Sequence, residues 1–285
     1  MTDQNHWRNP SYVANDAASG LSASLRLGNA LRNKAHAGFA LGTFVIEYPV
    51  PATLHALGIA GFDFVVIDME HSAIDFATLE GLIAAGQAVG LATLVRPWGE
   101  DCGLIGKILD LGANGVMVPH VESPERSRSI AEQTRFAPVG SRGFSPLARY
   151  DCLEEPLRQL NDATFVVVQI EGTRGIANAA QIAAIDGIDA VFVGPYDLAL
   201  SLGVPPGSDQ VHAAAERLAA EVPAQRLLGI YIDDASTCAA WAARRFALQC
   251  VSFDGRMLAS AARAVAMDAA TVKRARATEL VEREA

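Results

Sequence analysis

The sequence predicts a single (β/α)8 barrel of the TIM type, and three observations predict it. Eight short apolar runs recur along the chain from Phe39 onward. Several of them (FVVID, GVMVP, FVVVQI, AVFVG) are continuous rather than alternating. Strands buried on both faces of a helix-covered parallel sheet read this way. Helix-length segments rich in Ala and Leu separate the runs, and eight β units over about 250 residues fit a closed barrel. A doubly wound open sheet would want a glycine-rich nucleotide loop after its first strand. Neither G-x-G-x-x-G nor G-x-x-x-x-G-K-[ST] stands there.

The elements follow in order. The first 25 residues are polar, without a basic or an apolar leader segment, and read as an arm rather than a secretory signal. A helix pattern opens near Leu21, with Leu25, Leu27 and Leu31 as partial apolar repeats. The strands are Phe39–Ile46, Asp63–Asp68, Ala92–Val95, Gly115–Val118, Phe165–Ile170, Ala190–Val193, Leu228–Ile232 and Gln249–Phe253. Helices are expected over Phe76–Val89, Gly103–Leu111, Glu125–Gln133, Val211–Glu221 and Ala235–Arg245, with a last one from Met257 to about Arg276. Phe136–Asp151 and Leu202–Asp209 read as loops, because Pro and Gly crowd them. The division is an N-terminal extension, 1–30, and one barrel domain, 31–285.

Composition narrows the function. The 285 residues carry 23 basic and 32 acidic side chains, a net charge of −9, which argues against a nucleic-acid or anionic-membrane surface. Aromatics at 7% supply no base-stacking platform. No apolar run reaches the ~20 residues that span a bilayer. The four cysteines, Cys102, Cys152, Cys238 and Cys250, form no C-x-x-C pair and read as reduced thiols. A soluble cytoplasmic protein is the expectation.

In such a barrel the chemistry gathers at the C-terminal ends of the strands. Strand two ends in Asp68-Met69-Glu70-His71, strand three in Arg96, strand four in His120 and strand five in Gln169-Ile170-Glu171. Strand six ends in Gly194-Pro195-Tyr196-Asp197 and strand eight in Asp254-Gly255-Arg256. Glu171 and Asp197 lie one strand-helix-strand unit apart, so their strands are neighbours at about 4.8 Å. Two such carboxylates can share a hard divalent cation, or each can pair with an arginine or cap a helix. Arg96 can stabilise an enolate oxygen or form a salt bridge to Glu70 or another rim carboxylate. His71 can transfer a proton or merely be a helix-terminus histidine. Asp110 can orient a histidine, although periodicity alone makes it an exposed helix residue. His120 reads as a structural rim histidine. No lysine stands near a strand's C-terminal end, which speaks against a Schiff-base aldolase.

The motifs GFDFVVIDMEH, LVRPWGED, KILDLGANGVMVPHV, GSRGF, VQIE and VFVGPYDL occur in that order. Together they resemble the metal-dependent class II pyruvate aldolases of the HpcH/HpaI aldolase family, from about Leu31 to about Val265. That family includes 4-hydroxy-2-oxoheptanedioate and 2-dehydro-3-deoxyglucarate aldolases. The resemblance implies reversible cleavage of a 4-hydroxy-2-oxo acid to pyruvate and an aldehyde. It implies a divalent metal (Mg2+, Mn2+ or Co2+) on Glu171 and Asp197, with Arg96 at the keto oxygen. His71 would move protons with Asp110 as its partner, Gln169 would lie near the pyruvate, and the backbone around Gly194, Pro195 and Tyr196 would hold the carboxylate. It also implies a homo-hexamer of dimers that exchange their last helix.

The same site would serve oxaloacetate decarboxylation or a macrophomate-type enolate addition. A CoA-ester lyase would want a basic cluster that is not seen. A non-enzymatic barrel would not need the Glu171/Asp197/Arg96/His71 set. Two departures stand out. Phe144 to Tyr150 replaces a small-residue run, which predicts an altered aldehyde pocket, and Gly172 follows Glu171 where the family often has Thr or Ser.

Overall fold

The computed structural model describes residues 20–99, 103–147, 150 and 153–284, with side chains from 25 to 270. The elements are α1 (Gly20–Ala37), β1 (Ala40–Val45), α2 (Pro51–Ala60), β2 (Phe64–Asp68), α3 (Phe76–Ala88), β3 (Ala92–Arg96), α4 (Gly103–Asp110) and β4 (Gly115–Val118). Then come α5 (Pro124–Thr134), α6 (Pro156–Ala163), β5 (Phe165–Ile170), α7 (Thr173–Ala177), α8 (Ala179–Ala183), β6 (Ala190–Val193), α9 (Pro195–Leu202) and α10 (Asp209–Glu221). The chain ends with β7 (Leu227–Ile232), α11 (Cys238–Ala242), β8 (Phe246–Phe253) and α12 (Asp254–Glu284). The strands pair in parallel, β1 to β8 in sequence order, and β8 closes on β1. The fold is a (β/α)8 barrel.

Successive side chains of a strand point to opposite faces, so each apolar run divides into two sets. Phe64, Val66, Leu94, Phe165, Val167 and Phe192 fill the barrel interior. Val65, Ile67, Val95, Val166, Val168 and Val193 face the helices in the outer core. The same alternation carries Asp68, Arg96 and Gln169 to the inside at the C-terminal end. Fold and site thus come from one pattern.

Helix α1 runs across residue 30, the expected domain boundary. Leu31 and Ala35 join the barrel-interior cluster. Arg32 Nε donates to Asp189, and Arg32 Nη1 and Nη2 donate to the carbonyls of Asp162 and Thr164, just before β5 and β6. The helix therefore closes the end of the barrel opposite the strand C-termini. Residues 1–19 of the expected arm lie outside the described residues, as do Cys102 and Cys152. Cys238 and Cys250 are free thiols, and burial pushes the pKa of each above the ordinary thiol value. Among the described residues no helix is long and apolar enough to cross a membrane.

Some expected boundaries moved. Helices α2, α6 and α9 were not anticipated; each begins with proline at its first turn, where the missing N–H costs nothing. The expected helix Ala235–Arg245 is a 3-10 turn, Ala235–Thr237, followed by the short α11. Arg245 ends that segment at a φ of 75°, its guanidinium on the carbonyls of Ala219, Val222 and Pro223, and β8 starts three residues earlier than expected. Helix α12 begins at Asp254, and residues 258–269 are exposed all round.

Gly115 sits where β4 and β5 touch. A Cβ there would overlap the backbone carbonyl oxygen of Phe165, and backbone cannot rotate away. Gly115→Ala is expected to cost about 3 kcal/mol, the upper end of overpacking effects. Urea unfolding would measure it, and a change under 1 kcal/mol would show that the β4–β5 spacing yields.

Candidate active site

A cavity of about 260 Å³ opens at the C-terminal end of the barrel. His71, Arg96, Gln169, Gly194, Pro195, Tyr196 and Asp197 line it, seven of the residues expected from sequence. Glu171 lies directly behind, only 4% exposed.

Arg96 is the buried cation of the site. Its Nε and Nη2 donate to the two oxygens of the fully buried Asp68 at 3.0 and 2.6 Å, and Nε lies 3.3 Å from Glu70. Burial alone would lower its pKa. The Asp68 hydrogen bonds and the charges of Asp68, Glu70 and Glu171 outweigh that, and the pKa stands above the ordinary arginine value. The ring of Phe44 lies 4.8 Å from the guanidinium carbon. Arg96 therefore forms the salt bridge to the rim carboxylates and at the same time faces the cavity.

From Arg96 a closed circuit of polar contacts runs round the mouth. Arg96 Nη1 reaches Gln169 Oε1 at 3.5 Å, and Gln169 Nε2 donates to Glu171 Oε2 at 2.7 Å. Glu171 Oε1 accepts from the His120 backbone N–H at 2.9 Å and lies 2.9 Å from His120 Nδ1. His120 Nε2 meets Glu70 Oε1 at 3.0 Å, and Glu70 returns to Arg96. The Glu171 hydrogen bond, with the charges of Glu171 and Glu70, raises the His120 pKa to about 9 against the opposing effect of burial. His120, expected to be a structural rim residue, thus bridges two carboxylates, whose contacts favour its protonated form. It reaches that place through a backbone φ of 54°, which no sequence signal announced.

Asp197 stands in the first turn of α9, and no hydrogen bond or ion pair engages its carboxylate among the described residues. Gly194, opposite Glu171 across the β5–β6 pair, keeps the approach clear, since a Cβ there would collide with Glu171 Oε2 and stand 2.7 Å from Gln169 Nε2. Hard carboxylate oxygens, one pair of them free, with space beside them, fit a divalent cation that completes its shell with water and substrate oxygens. Among the described residues no group of three or more His, Cys, Asp or Glu is arranged to hold a metal.

Three expectations need correction. Asp110 does not meet His71 within the chain. It ends α4, which runs back from the mouth toward the opposite end of the barrel, and Oδ1 accepts from Arg142 at 2.6 Å. His71 lies 3.7 Å from Glu70 instead. The backbone around Gly194–Tyr196 offers fewer donors than supposed. Pro195 has no N–H and that of Gly194 goes to the Ile170 carbonyl at 3.1 Å, which leaves the first-turn N–H groups of Tyr196 and Asp197. The described residues of the Phe144–Tyr150 loop do not line the cavity. Phe144 and Tyr150 pack with Phe136 in a satellite cluster, while Ala148 and Arg149 lie outside the described residues. The space beside Gly172 is taken by the Glu122 carboxylate, so the small residue there has a packing reason.

The sequence also missed Phe44, Tyr231 and Phe253 on the cavity wall. Alternation along β1 and β7 marks the first two as inward. Phe253 has no such signal, because β8 slips register between its pairings with Gly42 and Phe44, with Ser252 at a φ of 57°.

A profile of the HpcH/HpaI aldolase/citrate lyase family matches residues 45–261, most of the chain. The chain belongs to the HpcH/HpaI aldolase/citrate lyase family. It is 36% identical over 214 residues to a hydroxypyruvate/pyruvate aldolase of Deinococcus radiodurans, covering 73% of this chain and 77% of that one. It is 39% identical over 166 residues to a 2-dehydro-3,6-dideoxy-6-sulfogluconate aldolase of Pseudomonas putida, 57% of this chain and 65% of that one. A solved family member from Burkholderia cenocepacia superposes with a TM-score of 0.78 at 29% identity, covering 86% of this chain and 98% of that one. The HpcH/HpaI relatives are class II aldolases, which are aldehyde-lyases, and the family is generally divalent-metal dependent. Membership makes this chain a carbon–carbon lyase of that kind.

Proposed function

We propose that the chain cleaves a 4-hydroxy-2-oxo acid reversibly into pyruvate and an aldehyde, through the pyruvate enolate. The observation that carries this reading is a buried, doubly anchored Arg96 facing the same cavity as an unpartnered Asp197. Glu171 and Asp197 would hold a divalent cation (Mg2+, Mn2+ or Co2+), which would supply Lewis-acid chemistry to the bound 2-oxo acid. Arg96 places fixed positive charge where the enolate oxygen becomes negative, and Asp68 holds its fork so that little reorganisation is needed. Gln169 fixes the Glu171 carboxylate and spaces it from Arg96. The Tyr196 and Asp197 N–H groups at the start of α9 receive the substrate carboxylate. His71, on the wall and half open to solvent, takes the proton from the 4-hydroxyl on cleavage and returns it on addition. The exposed apolar side chains of α12, Leu258, Val265 and Met267, support packing on a second copy in a hexamer of cytoplasmic enzyme.

Proton NMR of pyruvate in D2O tests the reading. Loss of the methyl signal with Mg2+, stopped by EDTA, is the expected result. Absence of exchange with Mg2+, with Co2+ and with an added aldehyde would remove pyruvate as the substrate.

A further inference from the structure

The cavity has a second end that enolate chemistry does not use. Away from Arg96 and Gln169 its wall comes from β7, β8 and the start of α12: Tyr231, Phe253 and Arg256, with Tyr196 beside them. We propose that Arg256 reads a negative charge on the far end of the aldehyde partner, which therefore carries a carboxylate, sulfonate or phosphate group away from its carbonyl. The inference rests on the aldolase reading and assigns the part of the substrate that the reading leaves open.

Arg256 is held for this purpose on one edge only. Its Nη1 donates to Asp233 and stands 3.3 Å from the Tyr196 hydroxyl and 3.5 Å from that of Tyr231. The guanidinium carbon lies 5.1 Å from the centre of the Phe253 ring. Its Nε and Nη2 make no hydrogen bond or ion pair among the described residues, so one donor edge stays free. That edge matches two oxygens of a planar or tetrahedral anion.

The neighbouring carboxylates do not compete for it. Asp233 stands off the cavity wall, bound also by the Tyr196 hydroxyl at 2.8 Å and the Tyr231 hydroxyl at 3.3 Å. Asp254, two residues before Arg256, accepts from the backbone N–H groups of Ile46, Glu47 and Tyr48. Glu47 packs against Gly255, on the other side of the turn. Burial and the Asp233 charge raise the Tyr231 pKa, so the phenol stays a neutral donor beside the cation. The cavity thus presents one cation at each end with aromatic wall between them, a shape for a short chain bearing an oxyanion at one end and a fixed anion at the other.

The test is the acceptor preference in aldol addition to pyruvate. Succinic semialdehyde is compared with butanal, and glyceraldehyde 3-phosphate with glyceraldehyde, in the wild type, Arg256→Gln and Arg256→Lys. The wild type is expected to favour at least one anionic acceptor in kcat/KM by at least about tenfold, the scale of a charge-assisted contact. In Arg256→Gln that preference is expected to vanish through a higher KM for the anionic acceptor, and in Arg256→Lys part of it returns. The neutral aldehyde controls for general damage, since a misfolded variant loses both. High salt should also erode the preference in the wild type, which needs no variant at all. The pair that shows the effect tells carboxylate from phosphate. A wild type that exchanges pyruvate protons but uses neutral and anionic acceptors equally overturns the role of Arg256 alone. So does a preference that Arg256→Gln leaves intact. A wild type without pyruvate exchange under any condition removes the aldolase reading itself.

Discussion

Arg96→Met is expected to lower stability by about 3–5 kcal/mol and to abolish pyruvate proton exchange in the protein that remains folded. The two effects have separate causes. Asp68 is fully buried, and Arg96 is its counter-charge through two hydrogen bonds. Without the guanidinium, Asp68 keeps only the Glu70 and His71 backbone N–H groups, at 2.9 and 3.4 Å. A buried carboxylate so stranded bears most of its desolvation cost uncompensated. The chemical loss comes from the missing charge beside the enolate oxygen. The double variant Asp68→Asn/Arg96→Met separates the causes, because it leaves no buried carboxylate stranded at position 68. Urea melts should return most of the stability, while proton exchange stays absent. An Arg96→Met protein as stable as the wild type would mean that water reaches Asp68, and one that still exchanges pyruvate protons would take Arg96 out of the chemistry.

The barrel was legible because a parallel strand covered on both faces has no polar positions to blur its pattern. FVVID and FVVVQI each begin and end within a residue of the observed strand. Alternation along the observed strands then turns their terminal residues Asp68, Arg96 and Gln169 inward. What counting cannot follow is a break in the count. Ser252 and His120 adopt positive φ, and each sends a side chain to the site that strict alternation would send elsewhere. Asp110 ends α4, and within the chain its carboxylate meets Arg142 rather than His71, a pairing that spacing along the sequence does not announce. The Glu70–His120–Glu171 contacts join β2, β4 and β5 ends across the mouth, and sequence spacing has no means of showing such a bridge.

Glu171→Gln is expected to weaken metal dependence of the exchange reaction by more than about 100-fold, since even groups that only orient a metal ligand cost 10–100-fold when removed. Glutamine keeps the shape and can still accept from the His120 backbone N–H, so the fold is preserved and the loss reports the charge. Asp197→Asn should give a comparable loss of activity, because in the proposed site each carboxylate holds the same cation. The variants differ in a second measurement that needs no metal. Glu171 is the main reason the His120 ring holds its proton up to about 9, and Asp197 makes no contact with that ring among the described residues. In metal-free protein, NMR titration of His120 should therefore move down toward the ordinary imidazole value in Glu171→Gln and stay near the wild-type value in Asp197→Asn. Two variants alike in activity and unlike in the titration would identify the carboxylates as partners in one function with different neighbours. Exchange at the wild-type rate and metal concentration in Glu171→Gln would instead reduce Glu171 to a counter-ion for His120 and move the cation elsewhere on the rim.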